Sequence, residues 1–204
     1  MSGPVYIADI EQGSPEWLSL RGGIPTASGF SNIVTSKGEP SKSAQKYMYQ
    51  LAGERLTGAP MESYTNGNMA RGNEMEAEAR AAYEFITDNH IEQVAFCFKD
   101  ERRLYGASPD GLVGADGGVE FKNPILTTAV EYLDKKKLPT IYTQQTQGFL
   151  LVTGREWIDF MAYFPGLKPL IIRVERDEKF IRALECELDD FCGELNALVE
   201  RLRG

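Results

Sequence analysis

The apolar residues first change period near residue 90, and this change is the tightest constraint on the fold. Over residues 68–87, Met75, Ala79, Ala82 and Ile86 recur at the spacing of one helix face. In VAFCF, residues 94–98, Val94, Phe96 and Phe98 alternate, which is the period of a strand. A chain that is helical before this point and extended after it has to stack helices on a sheet.

The flanking segments extend the pattern. SPEWLSLR reads as a short helix with Ser14 as cap and Pro15 in its first position. TASGFSNIV predicts a second helix from Thr26, and SKSAQKYMYQLAGERLTG a third that ends near Gly58 with Tyr47, Met48 and Leu51 on one side. Beyond VAFCF, RLYGAS reads as a strand, and ADGG as the turn of a hairpin between LVG and VEFK. A helix is expected over 139–152, then strands at WIDFMAYF and LIIRVE. Phe180, Leu184, Leu188, Phe191, Leu195, Leu198 and Leu202 mark a last amphipathic helix that closes the core or meets a partner. The expectation is an α/β (α+β) fold with a mixed central sheet flanked by helices, and one domain over 1–204.

Several function classes drop out. No run of 18 apolar residues occurs, and MSGPVYIADIEQGSP lacks a basic region followed by an apolar core. The reading is therefore a cytoplasmic protein with no membrane partner. The single histidine, His90, excludes chemistry that needs several, and Cys97, Cys186 and Cys192 are too scattered for a zinc site or a disulfide framework. A net charge of −8 argues against a surface coated in basic patches, but permits a local basic groove beside an acidic site.

The stretch SPDGLVGADGGVEFKNP, residues 108–124, carries the candidate chemistry. Strand alternation in VEFK sends Glu120 and Lys122 to one face, about 7 Å apart, and Val119 and Phe121 to the other. A hairpin at ADGG folds Asp110 back against Glu120. Two carboxylates about 4 Å apart repel by about 4 kcal/mol at an effective dielectric near 20, so such a pair calls for a proton or a cation. Oxygen donors favour Mg²⁺ or Mn²⁺. A calcium loop starting at Asp110 fails, because its twelfth residue is Phe121 where a bidentate glutamate is required. The residues alone leave a solvated hairpin and a metal-binding catalytic centre both open. Upstream, LRGGIPTAS supplies Arg21, then Thr26 and Ser28 at a helix start, where backbone N–H groups favour an anion; an ordinary cap and a surface ion pair would read the same way.

SPDG…VEFKNP with EQGSPEWLSLRGGIPTAS, and RGNEMEAEAR, YTQQTQGFLLVTG and VERDEKF in order, resembles the lambda exonuclease and YqaJ-like viral recombinase family of PD-(D/E)xK nucleases. The resemblance runs from Glu11 to about Lys179. It implies a restriction-endonuclease-like core and Mg²⁺-dependent, processive 5′→3′ digestion of linear double-stranded DNA, with Mn²⁺ able to substitute. The products are mononucleotides and a 3′ single strand. Asp110 and Glu120 with the Phe121 carbonyl then look like metal ligands, Lys122 like the catalytic lysine, and Glu76 like the helical acid near the metal. Glu74 and Glu78 read as a solvated face. Gln145 matches a glutamine beside the active site, with Gln144 and Gln147 left open. Arg21 with Thr26 and Ser28 corresponds to the 5′-phosphate site, Met69 to an apolar wedge at the end base pair, and Lys37 to a DNA contact. The basic run Lys135 to Lys137 fits a phosphate contact or a solvated turn. The resemblance also implies a homotrimer ring, a single-strand annealing protein as partner, and a phage or prophage origin in a bacterial host. A restriction-type endonuclease and a non-catalytic DNA-end-binding protein are the competing readings.

Overall fold

The structure is a computed structural model that describes residues 3–59 and 67–204, giving the backbone course alone over 67–74. Strand β1 (Val5–Ile7) leads to helix α1 (Pro15–Arg21), whose first turn is capped by the Ser14 side chain accepting from Trp17 N–H. Ala27–Asn32 is a 3₁₀ turn rather than the α-helix expected from Thr26. A turn containing Gly38 follows, and the chain enters α2 (Ala44–Thr57), which Gly58 ends in the left-handed region at φ +67°. Helix α3 covers Gly67–Thr87.

The extended half follows as β2 (Ile91–Glu92), β3 (Phe96–Phe98), β4 (Gly106–Ala107), β5 (Gly111–Val113) and β6 (Gly117–Lys122). Then come α4 (Leu126–Lys135), a 3₁₀ turn at Thr140–Tyr142, α5 (Thr143–Thr153), β7 (Trp157–Ala162), β8 (Leu170–Glu175) and α6 (Glu178–Arg203). The main sheet is mixed, in the order β2-β5-β6-β7-β8, with only the β6–β7 pair parallel. A small antiparallel sheet β1-β3-β4 stands beside it.

Strand β6 sits at the centre of the main sheet and shows how the layers form. Val119 and Phe121 pack with Ala79 and Tyr83 of α3, Ile91, Val113 and Met161. The opposite face of β6 carries Gly118, Glu120 and Lys122. Gly118 is needed there because the ring tip of Phe149 of α5 packs against it, and a Cβ would stand 2.2 Å from that ring. Behind α5 lies the largest cluster, in which Leu184, Leu188, Phe191 and Leu195 of α6 meet Phe149–Val152 and the 3₁₀ residue Phe30. The sheet is thus sandwiched between α3 and the α5–α6 layer.

Several local expectations shift. The buried face of α3 is Met75, Ala79 and Tyr83, whereas Ile86 is half exposed, because contact with the sheet ends at Tyr83. RLYGAS contributes only Gly106–Ala107 as strand. The ADGG glycines belong to β6, and the turn falls at Gly114–Asp116. Leu202 is exposed, one turn beyond the core-facing run of α6. The helix α4 was not anticipated. Among the described residues, no helix is long and apolar enough to cross a membrane.

Candidate active site

The acids gather where β5 begins beside the end of β6. Gly111 pairs with Val119, so Asp110, one residue earlier, overshoots the ladder toward Glu120 and Phe121. Its Oδ2 accepts the Phe121 N–H at 2.7 Å. The N–H and C=O of one strand residue share an edge, so the Phe121 carbonyl faces the same side as Asp110, past the start of β5. Gln12 braces this corner from the N-terminal segment, its amide donating to the carbonyls of Pro109 and Val94 at 2.9 Å each.

On the α5 face of β6, Lys122 Nζ donates to Glu120 Oε1 at 2.5 Å, and Gln145 Nε2 donates to the same oxygen at 2.5 Å. Glu120 is almost entirely buried, and Lys122 lies 5.2 Å from the Tyr142 ring centroid. Burial alone would lower the Lys122 ammonium, but Glu120 and Asp110 outweigh it and hold the group above its ordinary range. These two carboxylates thus favour the cationic form of Lys122. Asp110 behaves oppositely. Its residue keeps some accessible surface, yet its carboxyl is desolvated and faces Glu120 and Glu76, which together push it well above its usual range despite Lys122.

Glu76 lies on α3 and is ion-paired with Arg80 at 2.9 Å, one helical turn on. Among the described residues, no three histidine, cysteine or carboxylate side chains converge into a preformed metal cluster. Glu120 is turned to Lys122 and Gln145, and Glu76 to Arg80. The donors nevertheless fit a hard divalent cation. They are all oxygens, and a desolvated carboxyl raised by two neighbouring acids marks surplus negative charge that one lysine does not neutralise.

A second cluster adjoins the first. Arg21, the last residue of α1, stacks on Trp17 with its guanidinium carbon 4.0 Å from the ring centroid and donates to Ser108 Oγ at 2.8 Å. Among the described residues it makes no ion pair, and burial lowers its pKa. Thr26 and Ser28 share a hydroxyl contact at 3.3 Å, with Ser28 exposed and Thr26 buried where it bridges Gly106 of β4. Ser108 was missed in sequence because a Ser-Pro corner has no periodicity; only folding shows that it carries Arg21.

The structure sorts the three glutamines. Gln144 donates to Val34 O, and Gln147 joins Glu175 O to Asp177 N–H, so both tie loops to α5 and Gln145 alone reaches the acids. Lys37 is exposed at the tip of the turn that Val34 and Pro40 close, apart from these contacts. Lys135 is paired with Glu131, and Lys136 ends α4 in the left-handed region. Glu78 is exposed and, among the described residues, reaches the Tyr163 hydroxyl at 3.3 Å. The side chains of Met69 and Glu74 lie outside the described residues.

Comparison with known proteins bears on the family and the fold. A family model described as a YqaJ-like viral recombinase domain matches residues 16–156. The crystal structure of the alkaline exonuclease LHK-Exo from Laribacter hongkongensis matches with a TM-score of 0.85 and 36% identity, covering 93% of this chain and 96% of that one. A structure of LHK-Exo in complex with dAMP matches equally well. A phage-related exonuclease from Haemophilus somnus 129PT shares the fold, with a TM-score of 0.65 at 15% identity over 88% of this chain and 96% of that one. Among curated proteins, none matches.

Proposed function

Because the chain belongs to the YqaJ-like viral recombinase domain family and has its PD-(D/E)xK-type fold, we propose that it is a Mg²⁺-dependent exonuclease acting on linear double-stranded DNA. It digests 5′→3′ and processively from 5′-phosphate ends, releases mononucleotides and leaves a 3′ single strand for phage-type recombination. The observation that carries this reading is the contact between Arg21 and Ser108. A guanidinium that has no carboxylate partner among the described residues is held by Ser108, two residues before Asp110, so an anion-binding site would adjoin an acidic one. That juxtaposition suits a strand held by its terminal phosphate and cut near its end. The dAMP complex of LHK-Exo supports mononucleotide release.

Asp110, Glu120 and the Phe121 carbonyl would hold Mg²⁺, with Glu76 as the further acid; the ion supplies charge neutralisation and a more acidic water there. Mn²⁺, similar in ligand preference, would substitute. Lys122 offers a fixed positive charge to the phosphate as negative charge develops on its oxygens. Gln145 fixes Glu120, and through it the aim of Lys122. Arg21, Ser108, Thr26 and Ser28 bind the terminal phosphate, for which a guanidinium and hydroxyls are suited donors. Met69 wedges the end base pair, and Lys37 contacts the DNA backbone. The same reading makes the protein a homotrimer ring with DNA through its centre and gives it a single-strand annealing protein as partner.

The test is a digestion assay. Purified protein with Mg²⁺ is expected to shorten linear duplexes with 5′-phosphate ends, to act much more slowly on 5′-hydroxyl ends, and to spare closed circles. Cutting of circles would replace this reading with an endonuclease. End binding without cleavage under Mg²⁺ or Mn²⁺ would replace it with a DNA-end-binding protein.

A further inference from the structure

We propose that Glu54 and Arg55, at the end of α2, are positioning residues that set the phosphate-binding segment through the backbone of Gly23; the inference rests on the reading of Arg21 and Thr26 as the terminal-phosphate site. Gly23 lies two residues after Arg21 and three before Thr26. Both of its backbone polar groups are held by α2 side chains. Its N–H donates to Glu54 Oε2 at 2.7 Å, and its carbonyl accepts from Arg55 Nε at 2.5 Å.

Each holder is itself held. Gln50 Nε2 donates to the other Glu54 oxygen at 3.1 Å, and Arg55 Nη1 donates to Asn196 Oδ1 of α6 at 2.5 Å. Gly23 is buried, with φ at +73°, and a Cβ there would stand 2.4 Å from Arg55 Cγ. The left-handed backbone and the close approach of Arg55 together leave room for glycine only. Two helical turns earlier, Tyr47 reaches the far end of the same segment, where a Cβ on Gly29 would stand 2.4 Å from its hydroxyl.

The segment from Arg21 to Ser28 has little regular structure of its own. It is a stretch between a seven-residue helix and a 3₁₀ turn, joined to β4 through Gly106 N–H to Pro25 O and the Thr26 bridge. Without the α2 clamp, the peptide after Arg21 can rotate, and the guanidinium loses its registry with Thr26 and Ser28. Displacement of a substrate-holding group by about 1 Å can cost on the order of a hundredfold in rate. Glu54 and Arg55 thus act through Arg21 and Thr26, and in this role they touch no DNA.

The measurement is the ratio of digestion rates on 5′-phosphate and 5′-hydroxyl duplex ends, with kcat and KM determined separately. Glu54→Ala is expected to lower the ratio by about tenfold or more, mostly through a higher KM for phosphorylated ends. Glu54→Gln, which keeps an oxygen for the Gly23 N–H, is expected to restore most of it. Arg21→Ala gives the floor. A purely structural lesion lowers both rates together and leaves the ratio alone, so an unchanged ratio in Glu54→Ala overturns the proposal. If Glu54→Ala does not fold, Arg55→Met keeps the stem over Gly23 without the donor, and the same two outcomes apply. If the unmodified protein and Arg21→Ala both digest the two ends equally, the phosphate-site reading fails, and this inference with it.

Discussion

Asp110 is the residue at which folding and chemistry disagree. Its carboxyl is desolvated and faces Glu120 and Glu76, so ionising it in the folded protein costs more than in the unfolded chain. Substituting Asp110→Asn keeps an oxygen for the Phe121 N–H and removes the charge. In chelator at neutral pH, this variant is expected to melt higher than the unmodified protein, by about 2–4 °C for each kcal/mol of repulsion relieved. With Mg²⁺ the order should reverse, because only the unmodified protein gains from an ion that binds the folded state. Cleavage should fall by at least about a hundredfold, the scale on which single electrostatic contacts to a transition state act. Thermal melts with and without Mg²⁺, read beside the digestion assay, check both signs; a lower melting point for the variant in chelator would contradict the account. At this scale the sequence was legible where strand alternation applies, since Glu120 and Lys122 do share the face of β6 that Val119 and Phe121 do not. It was silent on Ser108, and it left Gln144 and Gln147 open beside Gln145, because polar residues on one helix differ only in what the fold brings opposite each.

At the scale of elements, most helices were readable from their caps and apolar spacing, and α4 was the one left out. Ser14 and Pro15 announced α1, and the run from Phe180 to Leu198 announced α6. Helix α4 carries Leu126, Ala129, Val130 and Leu133 at the spacing of one helix face, so its pattern was legible although no helix was expected there; the structure buries Ala129 and Tyr132 and leaves Leu126 and Val130 half exposed. Conversely, spacing placed Ile86 on the buried face of α3, where the structure puts Tyr83. What fixes Tyr83 is a polar contact invisible to hydrophobic periodicity. Its hydroxyl donates to Asp159 Oδ2 at 2.8 Å, and Asp159, buried on β7, also accepts two bonds from Arg173 of β8 at 2.9 Å each. This joint locks α3 to two strands. Asp159→Ala is expected to cost about 3 kcal/mol, the low end for a broken buried pair, since Arg173 keeps half of its side chain in water. That corresponds to a melting point lower by about 6–12 °C. Asp159→Asn, which retains an acceptor, should fall between; equal melting points for all three proteins would show that the joint contributes nothing.

For the whole molecule, the two thiols buried in the largest core make stability depend on alkaline pH. Cys97 of β3 and Cys192 of α6 are fully buried, and desolvation raises both from 9.0 to about 12, while Cys186 is exposed. In the unfolded chain the two thiols ionise near their ordinary value, so above it the unfolded state binds fewer protons than the native one. The stability they contribute is complete below about pH 9 and is lost as pH rises toward about 12. Each such group steepens the loss by about 1.4 kcal/mol per pH unit, so the pair contributes about 2.7. Tyr47 and Tyr132, raised by burial from 10.0 to about 12, add the same sign from about pH 10 upward. Acid titration has no counterpart at these sites, because thiols and phenols stay protonated in both states below pH 8. The expected outcome is an unfolding free energy that falls more steeply between pH 9 and 10 in the unmodified protein than in Cys97→Ala/Cys192→Ala. Chemical denaturation at pH 8, 9 and 10 measures both slopes. A thiol reagent at pH 8 should meanwhile modify Cys186 alone until the protein unfolds. Parallel slopes, or rapid labelling of all three cysteines in the native state, would mean that the α5–α6 core opens to water far more readily than its packing implies.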